Sequence, residues 1–158
     1  MTTRSVTTHS PEETRAFGRK LGMSLRGREV ILLVGDLGAG KTTLTQGIAE
    51  GLDIHEYTKS PTFVLVHEYK GRLPLYHIDL YRIEGDLEAW ALGVDEYLED
   101  VGVSVIEWAD RAPKVFPDDY LLIRLERLSD TDRRLQLESH GPRAGTLLST
   151  VQGGTLGA

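Results

Sequence analysis

The sequence contains no cysteine. That absence excludes disulfide frameworks, thiolate zinc sites and cysteine nucleophiles together. No apolar run approaches the roughly 20 residues that a bilayer-crossing helix needs. The opening stretch, MTTRSVTTHSPEETR, has no apolar core behind a basic start. A secretory signal is therefore not expected, and a cytoplasmic protein is. Concentrated positive charge is missing as well: 18 lysines and arginines are scattered among 24 acidic residues, for a formal net charge of −6. A chain that gripped nucleic acid by itself would show a basic patch, so direct, tight nucleic-acid binding is disfavoured.

What is present suits one globular domain over residues 1–158. At 40% hydrophobic residues the chain can bury a core without covalent staples. It has no internal repeat and no long low-complexity linker. Ser10, Pro11 and Glu13 form a helix start with a capping box, and Phe17, Leu21 and Leu25 recur at helical spacing behind it. The helix they predict is about 15 residues long. Val30 to Val34 is a continuous aliphatic run, the pattern of a strand buried on both faces of a mainly parallel sheet. After it come a glycine-rich loop and a helix ending near Gly51. TFVLVHEYKGRLPLYHIDLYRI reads as an antiparallel hairpin turning at Lys70–Arg72. DLEAWALG and VDEYLED read as short helices, Val103 to Ile106 as a second buried strand, and DDYLLIRLERL and RRLQLES as half-exposed strands. The glycine-rich tail is expected to end in about six disordered residues. The predicted order is helix, strand, loop, helix, hairpin, short helices and three strands. The expected architecture is α/β: a single P-loop NTPase domain with a central, mainly parallel sheet, an antiparallel hairpin and flanking helices.

The loop is the most specific signal. Gly35, Gly40, Lys41 and Thr42 complete the pattern G-x-x-x-x-G-K-[ST], with a strand before it and a helix after it. Residue frequencies place this pattern in about one random chain in a couple of hundred, before that context is added. The nine residues Gly35, Asp36, Leu37, Gly38, Ala39, Gly40, Lys41, Thr42 and Thr43 are the expected phosphate cradle. Glycines let backbone N–H groups turn inward, and the helix N-terminus adds partial positive charge. Lys41 supplies a full charge across the β- and γ-phosphates, the Thr42 hydroxyl is placed for Mg²⁺, and Thr43 is within reach of the α-phosphate. A guanine-reading N/T-K-x-D signature is missing, since TKSP at 58–61 lacks the aspartate. That favours ATP.

A magnesium nucleotide needs an acidic residue beside the loop. Glu107 ends the apolar strand VSVIE, where its carboxylate should emerge at the same sheet edge as the loop; the plainer reading is a local cap. Asp79, in the middle of the second hairpin strand, is the other candidate, or else a solvated partner for Arg82. His77 and Tyr81 flank it at i−2 and i+2, either as its support or as a polar strand face. Thr62, in SPTF, stands where switch proteins place a γ-phosphate sensor, although the same string suits an ordinary turn. Trp108 faces away from Glu107 if the strand continues; core packing is the commoner role for tryptophan, and a place near the nucleotide is the alternative if the chain turns. No role is assigned to His9, His55, His67 or His140.

GDLGAGKTT, SPTF, HIDLYR and IEW, in this order and spacing, resemble the bacterial TsaE (YjeE) family of tRNA threonylcarbamoyladenosine biosynthesis ATPases, from the first helix to about residue 140. The resemblance implies a small ATPase of weak intrinsic rate that uses ATP and Mg²⁺. It implies two partners, of the TsaB and TsaD type, that transfer threonylcarbamoyl to adenosine 37 of tRNAs reading ANN codons. Hydrolysis here would reset that complex, with tRNA met only through it. By the same resemblance Thr42 and Glu107 are magnesium ligands, Asp79 is needed for hydrolysis, Thr62 is the switch threonine and Trp108 lies by the nucleotide. Asp110 departs from a glutamate common in the family and receives no role, and Arg133 or Arg134 matches a nucleotide-side arginine only loosely. Two other readings compete with the ATPase. A small kinase would need an arginine-bearing lid, and no insertion is long enough to form one; a non-catalytic module would bind ATP without hydrolysing it.

Overall fold

The computed structural model describes residues 1–36, 38–55 and 66–153. Its strands are β1 (Thr2–Thr8), β2 (Val30–Val34), β3 (Val66–Tyr69), β4 (Leu75–Asp79), β5 (Val103–Glu107), β6 (Tyr120–Arg127) and β7 (Arg133–His140). Its helices are α1 (Pro11–Met23), α2 (Lys41–Gly51), α3 (Asp86–Ala91), α4 (Val94–Leu98) and α5 (Pro142–Gly153), with one 3₁₀ turn at Ala109–Arg111. Among the described residues no helix is long and apolar enough to cross a membrane.

All seven strands form one sheet in the order β1-β7-β6-β2-β5-β4-β3. The central strands β6, β2, β5 and β4 run parallel, and the edges β1, β7 and β3 pair antiparallel. The expected α/β architecture is therefore present, with its parallel part confined to the centre. Strands buried on both faces need apolar residues at every position, which explains the unbroken runs of β2 and β5. One face packs Leu33, Val105 and Ile123 under α1, α2 and α5. On the other, Leu32, Ile78 and Ile106 lie in a second core with Ala89, Val94 and Val115.

Two elements differ from expectation. β1 precedes α1, and it escapes the periodicity test because only Thr8 is buried along TTRSVTT. The tail forms α5, which burial of Ala144, Leu147, Leu148 and Val151 holds in place despite its glycines. Residues 154–158 lie outside the described residues. α1 begins as expected: Ser10 Oγ accepts from Glu13 N–H at 3.1 Å, while Glu13 returns a bond to His9 N–H at 3.0 Å.

What holds α2 in position is its contact with α1. Gly18 and Gly22 of α1 face Gly47 and Gly51 of α2, each pair four residues apart, so the two backbones touch directly. A methyl group added at Gly47 would sit 2.2 Å from the Arg15 carbonyl oxygen, and one at Gly18 2.4 Å from that of Leu44. Neither obstacle is a side chain that can swing aside. Arg72, in the hairpin turn, then caps the end of α1, donating to the Leu25 and Gly22 carbonyls at 3.0 and 2.9 Å. Gly47→Ala is expected to destabilise the protein by about 2–3 kcal/mol through overpacking, against a few tenths for an exposed helix position. Urea unfolding of the variant beside wild type checks this, and an unchanged midpoint would refute the close contact.

Candidate functional site

The parallel centre brings three chain segments to one sheet edge. β2 delivers the glycine loop, β5 ends at Glu107 and β4 ends at Asp79. Register pairs Leu33 with Glu107 and Asp79 with Glu107, so the two acids are immediate neighbours. Asp79 is thus at the end of its strand rather than in its middle. The hairpin strand is short because, after Asp79, the chain turns away with Tyr81 N–H bonded to Asp79 Oδ1 at 2.9 Å.

The loop has the features of an anion cradle. Gly38 and Gly40 adopt φ of +80° and +103°, conformations that side chains disfavour. The N-cap of α2 is Gly40, which has no side chain to cap this eleven-residue helix, and the helix start faces the loop. Lys41 is buried in its first turn, and Thr42 and Thr43 follow it at the open end. Leu37 and the whole of SPTF, including Thr62, lie outside the described residues, as does TKSP.

Lys41 and Glu107 form the centre. Lys41 Nζ stands 3.9 Å from Glu107 Oε1, with both side chains about nine-tenths buried. His77, fully buried, meets the other oxygen, Oε2, at 2.6 Å. An ionised carboxylate only accepts, so His77 Nε2 carries the hydrogen of this bond. His77 therefore supports Glu107 across the strand pair, where Asp79 was one expectation. Strand alternation places Leu75, His77 and Asp79 on the same face as Glu107, a signal that becomes readable once β4 is known to lie beside β5. Asp79 is half-buried, and its carboxyl is pushed above the usual range chiefly by burial. The Glu107 charge adds to the rise, while Tyr81 N–H, His77 and Lys41 oppose it.

At Trp108 the chain turns. Its backbone is left-handed, φ 62° and ψ 38°, so β5 stops at Glu107 and the chain turns sharply. That conformation is costly for a bulky residue, of order 1–2 kcal/mol, and concentrates at sites of function. The turn brings the indole to Lys41, whose Nζ is 5.0 Å from the ring centroid. The edge of Tyr81 packs on it at 4.9 Å, and the Arg111 guanidinium lies 5.6 Å from its centroid. Sequence reasoning missed Arg111, as well as a cleft of about 690 Å³, lined by both apolar and charged side chains, that opens beside Lys41. Val34, Asp36, Trp108, Phe116 and Arg124 are among its lining residues. On the other side of the loop the stem of Arg133 comes near Gly40, whereas Arg134 pairs with Glu126 at 3.0 Å.

The raised pKa of Asp79 has a stability consequence of definite sign. The folded state binds this proton more tightly than the unfolded chain, so its contribution is most favourable in acid and declines as pH rises through the folded-state value. Asp79→Asn keeps the Tyr81 bond and removes the charge. At neutral pH it is expected to raise the melting temperature by about 1–2 °C, modest because solvent screens a half-buried group. The gain should vanish below about pH 4; melting curves of both proteins across pH 3.5–8 decide, and a destabilised variant at neutral pH would contradict it.

The chain is similar to known proteins. A model of the TsaE family, described as threonylcarbamoyl adenosine biosynthesis protein TsaE, matches residues 8–135. The tRNA threonylcarbamoyladenosine biosynthesis protein TsaE of Bacillus subtilis is 43% identical over 137 residues, covering 86% of this chain and 85% of that protein. The protein of the same description from a Nostoc species is 42% identical over 144 residues, covering 88% of each. Among solved structures, the crystal structure of Bacillus subtilis YdiB superposes with a TM-score of 0.84 at 36% identity, covering 96% of this chain and 95% of that one. A family model spanning most of the chain, and relatives at this identity over most of their lengths, lead to one conclusion: the chain belongs to the TsaE family.

Proposed function

We propose that this chain is a cytoplasmic ATPase that supports threonylcarbamoyl modification of adenosine 37 in tRNAs reading ANN codons. In this reading it hydrolyses ATP to reset a partner pair of the TsaB and TsaD type, and it meets tRNA through that pair. The observation that carries the reading is the convergence of Lys41, Glu107 and Asp79 beside a glycine-rich helix start. The family's name supplies the pathway.

The donor set fits a magnesium nucleotide. A helix N-terminus and positive-φ glycines suit the β-phosphate, and a buried lysine suits the oxygens beyond it. Thr42 and Glu107 are the proposed magnesium ligands, a hydroxyl and a carboxylate of the kind Mg²⁺ takes beside phosphate oxygens. The metal supplies charge that neutralises the phosphate oxygens. Lys41 adds a second charge there, and on nucleotide binding it exchanges part of its contact with Glu107 and Trp108 for phosphate. Glu107, held at Oε2 by His77, is suited to holding a ligand still. Asp79 is not fixed in that way. Its half-exposed carboxyl, with a raised proton affinity, suits orienting the attacking water and accepting its proton. Thr62 is the proposed γ-phosphate sensor, and Trp108 borders the nucleotide.

The test is phosphate release from ATP with and without the partner pair. Lys41→Ala is expected to abolish nucleotide binding. Asp79→Asn and Glu107→Gln should lower turnover at least about 100-fold, with ATP affinity changed much less. If both acid variants hydrolyse ATP normally in the assembled complex, the assignment is wrong, and transfer to a small acceptor instead would mark a kinase. A second measurement addresses the position of Trp108. Adding ATP and Mg²⁺ to a Trp90→Phe background should change the remaining tryptophan emission, and a flat titration at saturating nucleotide would remove Trp108 from the site.

A further inference from the structure

The acidity of this chain is not spread evenly. Between Ile83 and Gly102 there are seven acidic residues and no lysine or arginine. The remainder holds 17 acidic and 18 basic residues, close to neutral. This acidic stretch is α3, α4 and their connections, a projection whose inner side, at Ala89 and Val94, belongs to the second core.

The same stretch exposes apolar side chains. Leu87 is 81% exposed, Leu92 53% and Trp90 43%. Leu87 and Trp90, three residues apart, share a face of α3, whose one buried residue is Ala89. A tryptophan beside a leucine in solvent has no folding rationale here, since Val94 and Ala89 already anchor the projection in the core. Clustered exposed apolar residues of this kind mark interaction surfaces, and tryptophan is prominent among the side chains that dominate binding energy.

The charge selects the partner. Exposed glutamates of this stretch, Glu84, Glu88, Glu96 and Glu99, disfavour nucleic-acid phosphates and anionic lipid headgroups alike. They attract a surface rich in lysine and arginine, and such complementarity steers encounter and fixes orientation. The projection also adjoins the site. Tyr81, just before it, packs on Trp108, and Asp86 Oδ1 accepts from Lys114 N–H at 2.8 Å, tying α3 to the loop that follows the 3₁₀ turn.

We infer that the α3–α4 projection, with Leu87 and Trp90 at its centre and carboxylates around them, docks this chain onto a protein partner that offers an apolar hollow ringed by lysine and arginine. The inference rests on the proposed function for the partner's identity, the TsaB–TsaD type pair, whose task of handling tRNA requires basic surface. Calorimetric titration of that purified pair into wild type, with and without ATP and Mg²⁺, provides the test. A Leu87→Ser/Trp90→Ala variant and a Glu88→Lys/Glu96→Lys variant are run beside it. Each is expected to weaken binding at least 10-fold, while melting temperature and ATP affinity stay close to wild type. Added salt should weaken the wild-type complex more than the charge-reversed one. If wild type binds and both variants bind within twofold of it, the docking surface is wrong and the proposed function stands. If only the apolar variant weakens, the basic character assigned to the partner is wrong. If wild type fails to bind under either condition, the partner assignment fails and the inference with it.

Discussion

Parallel pairing of β2 with β5, and of β5 with β4, is the constraint on which the rest of the molecule depends. Parallel neighbours end on the same edge, so three segments distant in sequence must meet wherever those strands stop. Lys41, Asp79 and Glu107 are 38 and 28 residues apart along the chain, yet one register brings both acids to the same level. Register alone leaves the height of Lys41 open. The glycine contact between α1 and α2 sets it, because a backbone-to-backbone fit tolerates little sliding.

The centre of the site is an arrangement of partial satisfaction. Removing water from Lys41 and Glu107 is costly, and a separation of 3.9 Å recovers only part of that cost. His77 stabilises Glu107 through a short bond, and the indole face of Trp108 stabilises the ammonium. Lysine is left with weak partners that a phosphate can outcompete, while the carboxylate is firmly held. The asymmetry suits a site in which one group receives the ligand and the other keeps the frame.

Much of this was legible in the sequence, and the gaps have identifiable causes. The runs of β2 and β5 announce strands buried on both faces, and an acid at the end of such a run announces an edge; Glu107 needed no structure. Asp79 was recognised, but its position was not, because the length of β4 depends on a turn whose only local mark is an aspartate bonding two residues ahead. Trp108 could not be settled either, since a left-handed tryptophan has no propensity signal. β1 has too little apolar character to show a period, and α5 is disguised by glycine. The four glycines of α1 and α2 sit inside helical patterns, where they read as weaknesses of each helix; only the pairing of the two helices reveals why no other residue fits. Thr62 and SPTF lie beyond what the structure describes.

β1 carries one further consequence. It pairs with β7, and Thr2 N–H reaches Ser139 across 137 residues. The first of the seven strands to be synthesised therefore has no partner until the last of them, β7, follows. A long-waiting unpaired strand invites pairing with another chain, a hazard reduced by few apolar residues and a charged one. Thr2–Thr8 has a single aliphatic residue, Val6, and one cation, Arg4, among threonines and a serine. Its blandness, which hides it from pattern reading, is what a strand synthesised first and paired last requires.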